Sequence, residues 1–172
     1  MSHRLISPEE FEKSPFRLIG KEWLLITAPD EEKASGANAM TASWGNMGIL
    51  WNKPIATVFV RPQRYTYGLC ESAERFSLST LPDEYRNALK ICGTKSGKDL
   101  DKLAECSLSC TEIDGVKVIE QSKVAMICKK LYADDLKKEC FIDKDQLKHY
   151  PTDDFHRFYI CEIEKVLKRV QD

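Results

Sequence analysis

Ile55-Ala-Thr-Val-Phe-Val60 is apolar on both faces and runs directly into Arg61-Pro-Gln-Arg-Tyr-Thr66. Six residues without polar alternation read as a strand covered on both sides, and therefore as a central strand of a sheet. Upstream, Trp23-Leu-Leu-Ile-Thr-Ala28 reads as another strand, followed by Pro29-Asp-Glu-Glu-Lys-Ala-Ser-Gly36, whose composition suits a hairpin loop. Asn38 to Trp51 mixes small, polar and aromatic residues and fits two short strands or one bent strand, with Gly45 and Gly48 marking a bulge or turn. Downstream, Tyr65 to Ala73 suits one or two helical turns, and Phe76-Ser-Leu-Ser-Thr-Leu81 is strand-like again.

Two helices are expected next. Tyr85, Ala88, Leu89 and Cys92 share one helical face, with Gly93 as the stop. Asp99 suits the N-cap of a second, short helix carrying Leu100, Leu103 and Ala104. Strands return at Val116–Ile119, Lys123–Tyr132 and Arg157–Val166, with a short helix around Asp145–His149. The strand–helix–strand alternation of a parallel sheet is missing. The reading is a mainly β protein with helical insertions: a closed antiparallel sheet or barrel of Greek-key type. No repeat or linker interrupts it, so residues 1–172 are expected to form one domain.

Composition narrows the function classes. The 172 residues are 42% apolar and 31% charged, which excludes a disordered or fibrous chain, and 26 Lys and Arg against 27 Asp and Glu give no basic excess for nucleic acid. No apolar stretch is long enough to span a bilayer, and Met1 to Glu10 lacks the apolar core of a signal peptide. A cytoplasmic enzyme or binding domain is expected. Cys70, Cys92, Cys106, Cys110, Cys128, Cys140 and Cys161 are odd in number, so they read as reduced thiols acting largely as small core residues. Only Cys106 and Cys110 lie close together, and no second pair follows at zinc spacing, so no metal site is expected.

Familiar catalytic fingerprints fail. There is no Gly-x-Gly-x-x-Gly, and Gly93-Thr-Lys-Ser-Gly97-Lys98-Asp99 has one residue too few between its glycines and Asp99 where a phosphate loop needs Ser or Thr. The three histidines, at 3, 149 and 156, follow no Gly-x-Ser-x-Gly elbow.

Three segments carry chemistry. In Asn38-Ala-Met-Thr-Ala-Ser-Trp44, strand alternation sets Asn38, Met40, Ala42 and Trp44 on one face, with Thr41 and Ser43 on the other. Arg61-Pro-Gln-Arg-Tyr-Thr66 joins two guanidinium groups to a turn entering a helix, the parts of an anion site. Ser96-Gly-Lys-Asp-Leu-Asp-Lys102 sets Lys102 in the first turn of a helix, where the macrodipole disfavours a cation, and such a broken rule often marks function. Taken singly, each also fits a structural role: a half-buried strand, a solvated loop, a surface lysine.

Together with His156-Arg-Phe-Tyr-Ile-Cys-Glu-Ile163, and in this order along residues 15–170, the segments resemble the flavin reductase-like family, its flavoredoxin branch above all. The resemblance implies an FMN-binding split β-barrel, usually a homodimer with the flavin near the subunit interface. Asn38, Met40, Thr41, Ala42, Ser43 and Trp44 would line the isoalloxazine and ribityl chain. Arg61, Arg64, Tyr65 and Thr66 would hold the phosphate. Lys102 would reach the flavin, stabilising the negative charge of its reduced form near N1 and C2=O, and His156 would face the cofactor. Electrons would come from NAD(P)H or a redox partner protein, with the helical insert Asp83–Ser109 able to roof the cleft. The alternatives are a non-catalytic FMN carrier or sensor, and a pyridoxamine-phosphate-oxidase-like barrel, against which the Asn-x-Met-Thr-x-Ser-Trp segment argues. Cys161 stands where the family commonly has Gly, and Lys98 where it often has Arg.

Overall fold

Two residues, Ser43 and Trp44, separate β3 (Ala37–Ala42) from β4 (Gly45–Leu50), yet these strands occupy opposite ends of one sheet. Its order is β3-β2-β6-β9-β10-β5-β4, with β2 at Leu24–Pro29, β5 at Lys53–Val60, β6 at Arg75–Thr80, β9 at Val124–Asp135 and β10 at Arg157–Arg169. A two-residue link can span only about 10 Å. The sheet must therefore curl round until its ends nearly meet, leaving a seam without ladder hydrogen bonds at Ser43–Trp44. All pairings among the described residues are antiparallel. The computed structural model describes residues 3–170.

The neighbours β2–β6 and β5–β10 are far apart in sequence, so the connections cross the barrel ends in Greek-key fashion. The long strand β10 pairs with β9 on one side and, on the other, first with β5 and then with β1 (His3–Ile6). A register shift falls between Ile160 and Cys161, and the Cys161 side chain is buried in the barrel.

Alternation sorts the side chains into two cores. Leu24, Ile26, Met40, Val58, Phe76, Met126 and Tyr159 fill the barrel. Leu25 and Ala39, from the other faces of β2 and β3, pack outside it against Leu89 and Cys92 of α3 (Arg86–Thr94) and Leu103 of α4 (Lys102–Glu105). A third patch joins Val116 and Val118 of β8 (Val116–Ile119) to β9; β8 forms a separate hairpin with β7 (Cys110–Ile113). The remaining α-helices among the described residues are α1 (Pro15–Arg17) and α2 (Tyr65–Ser72).

Two helix boundaries differ from the sequence reading. Gly93 does not stop α3, which continues to Thr94, and at Gly93 the helix lies against Thr41. The last carbonyls are satisfied by distant cations rather than by a left-handed glycine cap. Asp99 does not cap the next helix: Asp101 does, accepting from the amides of Leu103 and Ala104 at 3.1 Å. Asp101 wins because it is also held by the amide and hydroxyl of Ser35. The helix expected at Asp145–His149 is a 3-10 segment, Lys144–His149, and β1, β7 and α1 were not foreseen. Among the described residues no helix is long and apolar enough to cross a membrane.

Candidate functional site

The apolar run of β5 ends at Val60, and the chain turns at Arg61–Arg64 into α2. Arg64 is the N-cap residue, in extended conformation, and the amides of Tyr65 and Thr66 open the helix without intrahelical acceptors. Two cavities meet at this turn, and Arg64 lines both.

The first, about 180 Å³, lies at the seam and is lined by Met40, Thr41, Ala42, Ser43, Trp44, Phe59, Arg61, Arg64 and His156. Trp44 has left the sheet and is half exposed; its ring meets those of His156 and His149 at 5.1 and 5.4 Å. Thr41 Oγ1 donates to the Leu89 carbonyl at 2.5 Å, which ties β3 to α3. Arg61 is bonded to Asp154, donates to the His149 carbonyl and lies over the Tyr150 ring. Arg61 and Gln63 together hold the Asp154 carboxyl down at about 2. Burial, aided by the Arg61 charge, holds His156 down at about 4, so its ring is neutral at pH 7.

The second cavity, about 170 Å³, is lined by Gln63, Arg64, Tyr65, Thr66, Thr94, Lys95, Ser96, Gly97 and Lys102. Lys102 is only 2% exposed. Its ammonium approaches the Cys92 carbonyl at 3.4 Å, while Arg64 donates to the Gly93 and Cys92 carbonyls at 2.7 and 3.1 Å. Two cations thus share the carbonyl end of α3, in keeping with the helix dipole. Neither makes an ion pair among the described residues. Burial first, with repulsion from Arg64, brings Lys102 down to about 8. Buried charge usually has a partner of opposite sign. A lysine and an arginine without ion pairs beside the open amides of a helix start are the chemical components of an anion site.

The sequence-chosen residues therefore divide. Arg64, Tyr65, Thr66 and Lys102 come together at the second cavity, whereas Arg61 stands apart, its guanidinium committed to Asp154 and the loop carrying His149. Met40, Thr41, Ala42, Ser43, Trp44 and His156 meet at the first. Asn38 lines neither: it is buried, donates to Thr66 Oγ1 at 2.7 Å and lies so close to Gly97 that a Cβ there would collide with it. It is a strut between β3, α2 and the 95–102 loop. Sequence reasoning missed Phe59, Ser96 and Tyr150. Ser96 was within reach, since it opens the quoted Ser96–Lys102 segment; Tyr150 carries no local signal. Among the described residues no group of three His, Cys, Asp or Glu could share a metal ion, and all seven cysteines are unpaired.

The family described as Flavin reductase like domain matches residues 16–170. Among solved structures, a flavoredoxin from Methanosarcina acetivorans is similar at 19% identity and TM-score 0.67, over 87% of this chain and 69% of that one. An FMN-binding protein from Thermus thermophilus with bound p-hydroxybenzaldehyde gives 21% and 0.65, over 98% and 82%. A Streptomyces globisporus NADH:FAD oxidoreductase, in complex with NAD and FAD fragments, gives 13% and 0.63, over 86% and 74%. At these identities the likeness is one of fold: a split barrel. No curated protein matches.

Proposed function

Because this chain belongs to the flavin reductase-like family, and so to proteins of flavin-linked redox function, we propose that it is an FMN-dependent oxidoreductase of the flavoredoxin branch. It works as a single-domain cytoplasmic homodimer, passing electrons from NAD(P)H or a redox protein to an acceptor. The observation that carries the choice of FMN is the unpaired Arg64–Lys102 pair beside the opening amides of α2. A phosphate monoester dianion supplies the charge these donors lack.

The remaining residues fit the rest of such a ligand. Arg64, Lys102, Ser96 and the amides of Tyr65 and Thr66 would hold the phosphate. The sequence reading set Lys102 against the ring; its place in the second cavity favours the phosphate end. Asn38 fixes the Thr66 side chain from behind. The seam segment Thr41–Trp44 and His156 would bound the ring in the first cavity, which adjoins the second, phosphate-holding cavity at Arg64. Bound flavin supplies two-electron chemistry. The protein's own part is to hold the ring at the seam, keep His156 neutral beside it, and exclude water with Trp44 and Phe59.

The test is titration of the purified protein with FMN and riboflavin, followed by absorption. FMN binds; Arg64→Ala weakens it by roughly 10- to 100-fold and leaves riboflavin unchanged, since only the phosphate contact is lost. Equal losses for both ligands refute the phosphate assignment. Anaerobic stopped-flow mixing of the FMN-loaded protein with NADH, NADPH and a reduced ferredoxin-type donor then separates a reductase from a carrier. Bleaching within seconds by a nucleotide marks the reductase. Bleaching by the protein donor alone marks the carrier.

A further inference from the structure

Nδ1 of His156 lies 2.9 Å from the Tyr150 hydroxyl, and both residues are buried. The contact admits two arrangements: the hydroxyl donates to Nδ1, or Nδ1–H donates to the hydroxyl oxygen. The surroundings of Tyr150 decide between them. Phe155 is stacked on its ring at 4.8 Å, Phe141 meets it edge-on at 5.8 Å, and the Arg61 guanidinium lies over it at 5.2 Å. The hydroxyl has no other hydrogen bond among the described residues.

If the hydroxyl accepted, its own proton would be buried without an acceptor. If it donates, only lone pairs go unused, which is the cheaper outcome. Tyr150 remains protonated, because burial raises it above its ordinary value. The charged groups acting on the imidazole are Arg61 and Asp154, which neutralise one another in an ion pair; the His149 ring is in contact with Trp44, and Tyr150 stays neutral.

We propose that Tyr150 is a positioning residue: it holds the His156 ring in one neutral tautomer, so that Nε2–H stands as a fixed donor in the first cavity and selects small planar ligands bearing an uncharged oxygen acceptor. Tyr150 takes up Nδ1, which leaves Nε2 as the ring's polar atom for the cavity that His156 lines. The Trp44 and Phe59 rings beside His156 offer flat apolar walls. Arg61, whose charge acts on His156, is committed to Asp154 and the His149 carbonyl, and Arg64, which also lines the cavity, turns its guanidinium to the carbonyl end of α3. An uncharged acceptor therefore suits the His156 end of the cavity better than a carboxylate. An aromatic aldehyde, ketone or nitro compound has the required shape and oxygen. The choice of ligand rests on reading this cavity as the flavin cleft; the tautomer does not.

The experiment has two arms. In the first, long-range 15N–1H spectra are recorded on protein freed of flavin, labelled at histidine, with His156→Leu identifying the signal. The wild type should show a single Nε2–H tautomer from pH 8 down to pH 5, and Tyr150→Phe should shift the Nδ1 resonance toward that of a non-bonded nitrogen. An Nδ1–H tautomer in the wild type, or an unmoved resonance in Tyr150→Phe, overturns the proposal. In the second, benzaldehyde is compared with styrene, its counterpart without an oxygen, by perturbation of the FMN spectrum. The wild type should prefer benzaldehyde about tenfold, the scale of one hydrogen bond to a buried donor. Tyr150→Phe should lose most of that preference, and His156→Leu all of it. Full preference retained in Tyr150→Phe overturns the proposal. A wild-type protein that takes up no FMN refutes the flavin reading instead, while the first arm still decides the role of Tyr150.

Discussion

Lys102 is the residue at which sequence and structure speak most directly to each other. A cation in the first turn of a helix breaks a local rule, and the structure shows why the rule yields: α4 is one turn long, and the ammonium answers the carbonyl end of α3. Its protonation gives the anion site a pH dependence. The free protein loses the ammonium as pH rises through about 8, well below the ordinary lysine range. A bound phosphate dianion favours the charged form and raises that value again. FMN affinity is therefore greatest below pH 8 and declines as pH climbs from 8 toward 10, while riboflavin affinity stays level. Lys102→Met binds FMN weakly and without this slope, so the two proteins converge near pH 10; calorimetric titration at five pH values checks it. A wild-type profile as flat as that of the variant would remove Lys102 from the phosphate site. Tyr150, by contrast, could not be found from sequence, because nothing in its neighbourhood marks the turn that brings it back onto His156, six residues on.

Elements were legible where their determinants were local. Val58 and Val60, buried in a run of apolar neighbours, announce β5 as a central strand, and Gly45 marks the start of β4, where a Cβ would strike the Thr57 carbonyl. Arg64–Thr66 could be read as a strand–turn–helix anion site because the three pieces adjoin in sequence. The end of α3 misled because its cap is assembled from Arg64 and Lys102, which no window around Gly93 contains. The start of α4 misled because Asp99 and Asp101 are equally good caps in isolation, and only Ser35, far upstream, chooses between them. Asp101→Ala removes the cap and both Ser35 bonds at once. It should lower stability by about 2 kcal/mol, more than a helix cap alone. Asp101→Asn keeps an acceptor and should cost less than half as much. Urea denaturation of the three proteins gives the comparison, and equal losses for both variants would deny the carboxylate its second role.

At the scale of the molecule, the β4–β5 hairpin stands out. Its two-residue turn holds Trp51 and Asn52 at φ 53° and 56°, a left-handed pair that suits asparagine and strains tryptophan. Ile49 is 72% and Trp51 56% exposed at the tip, and β4 has an open edge among the described residues. An open edge with apolar side chains invites a partner. The proposed homodimer should use it, with Trp44 of the seam nearby. Ile49→Lys with Trp51→Lys should turn a species of two chains into one at micromolar concentration in sedimentation, with FMN uptake reduced. A variant that remains paired would move the interface elsewhere. The seam has another consequence, in the order of assembly. The hairpins β2–β3 and β4–β5 close over short loops and are joined by Ser43–Trp44, so they can form early as one tethered unit holding both borders of the future barrel. The pairings that complete it, Leu25 with Ser79 and Thr57 with Ile160, bridge long stretches of chain. Such contacts carry the entropic barrier to folding, which places refolding among the slow, millisecond-to-second cases. On this ordering the barrel would close from its borders inward, with hydrogen exchange showing β2–β5 protected before β9 and β10 during refolding, and the cleft at the seam would exist in outline before the wall behind it is built.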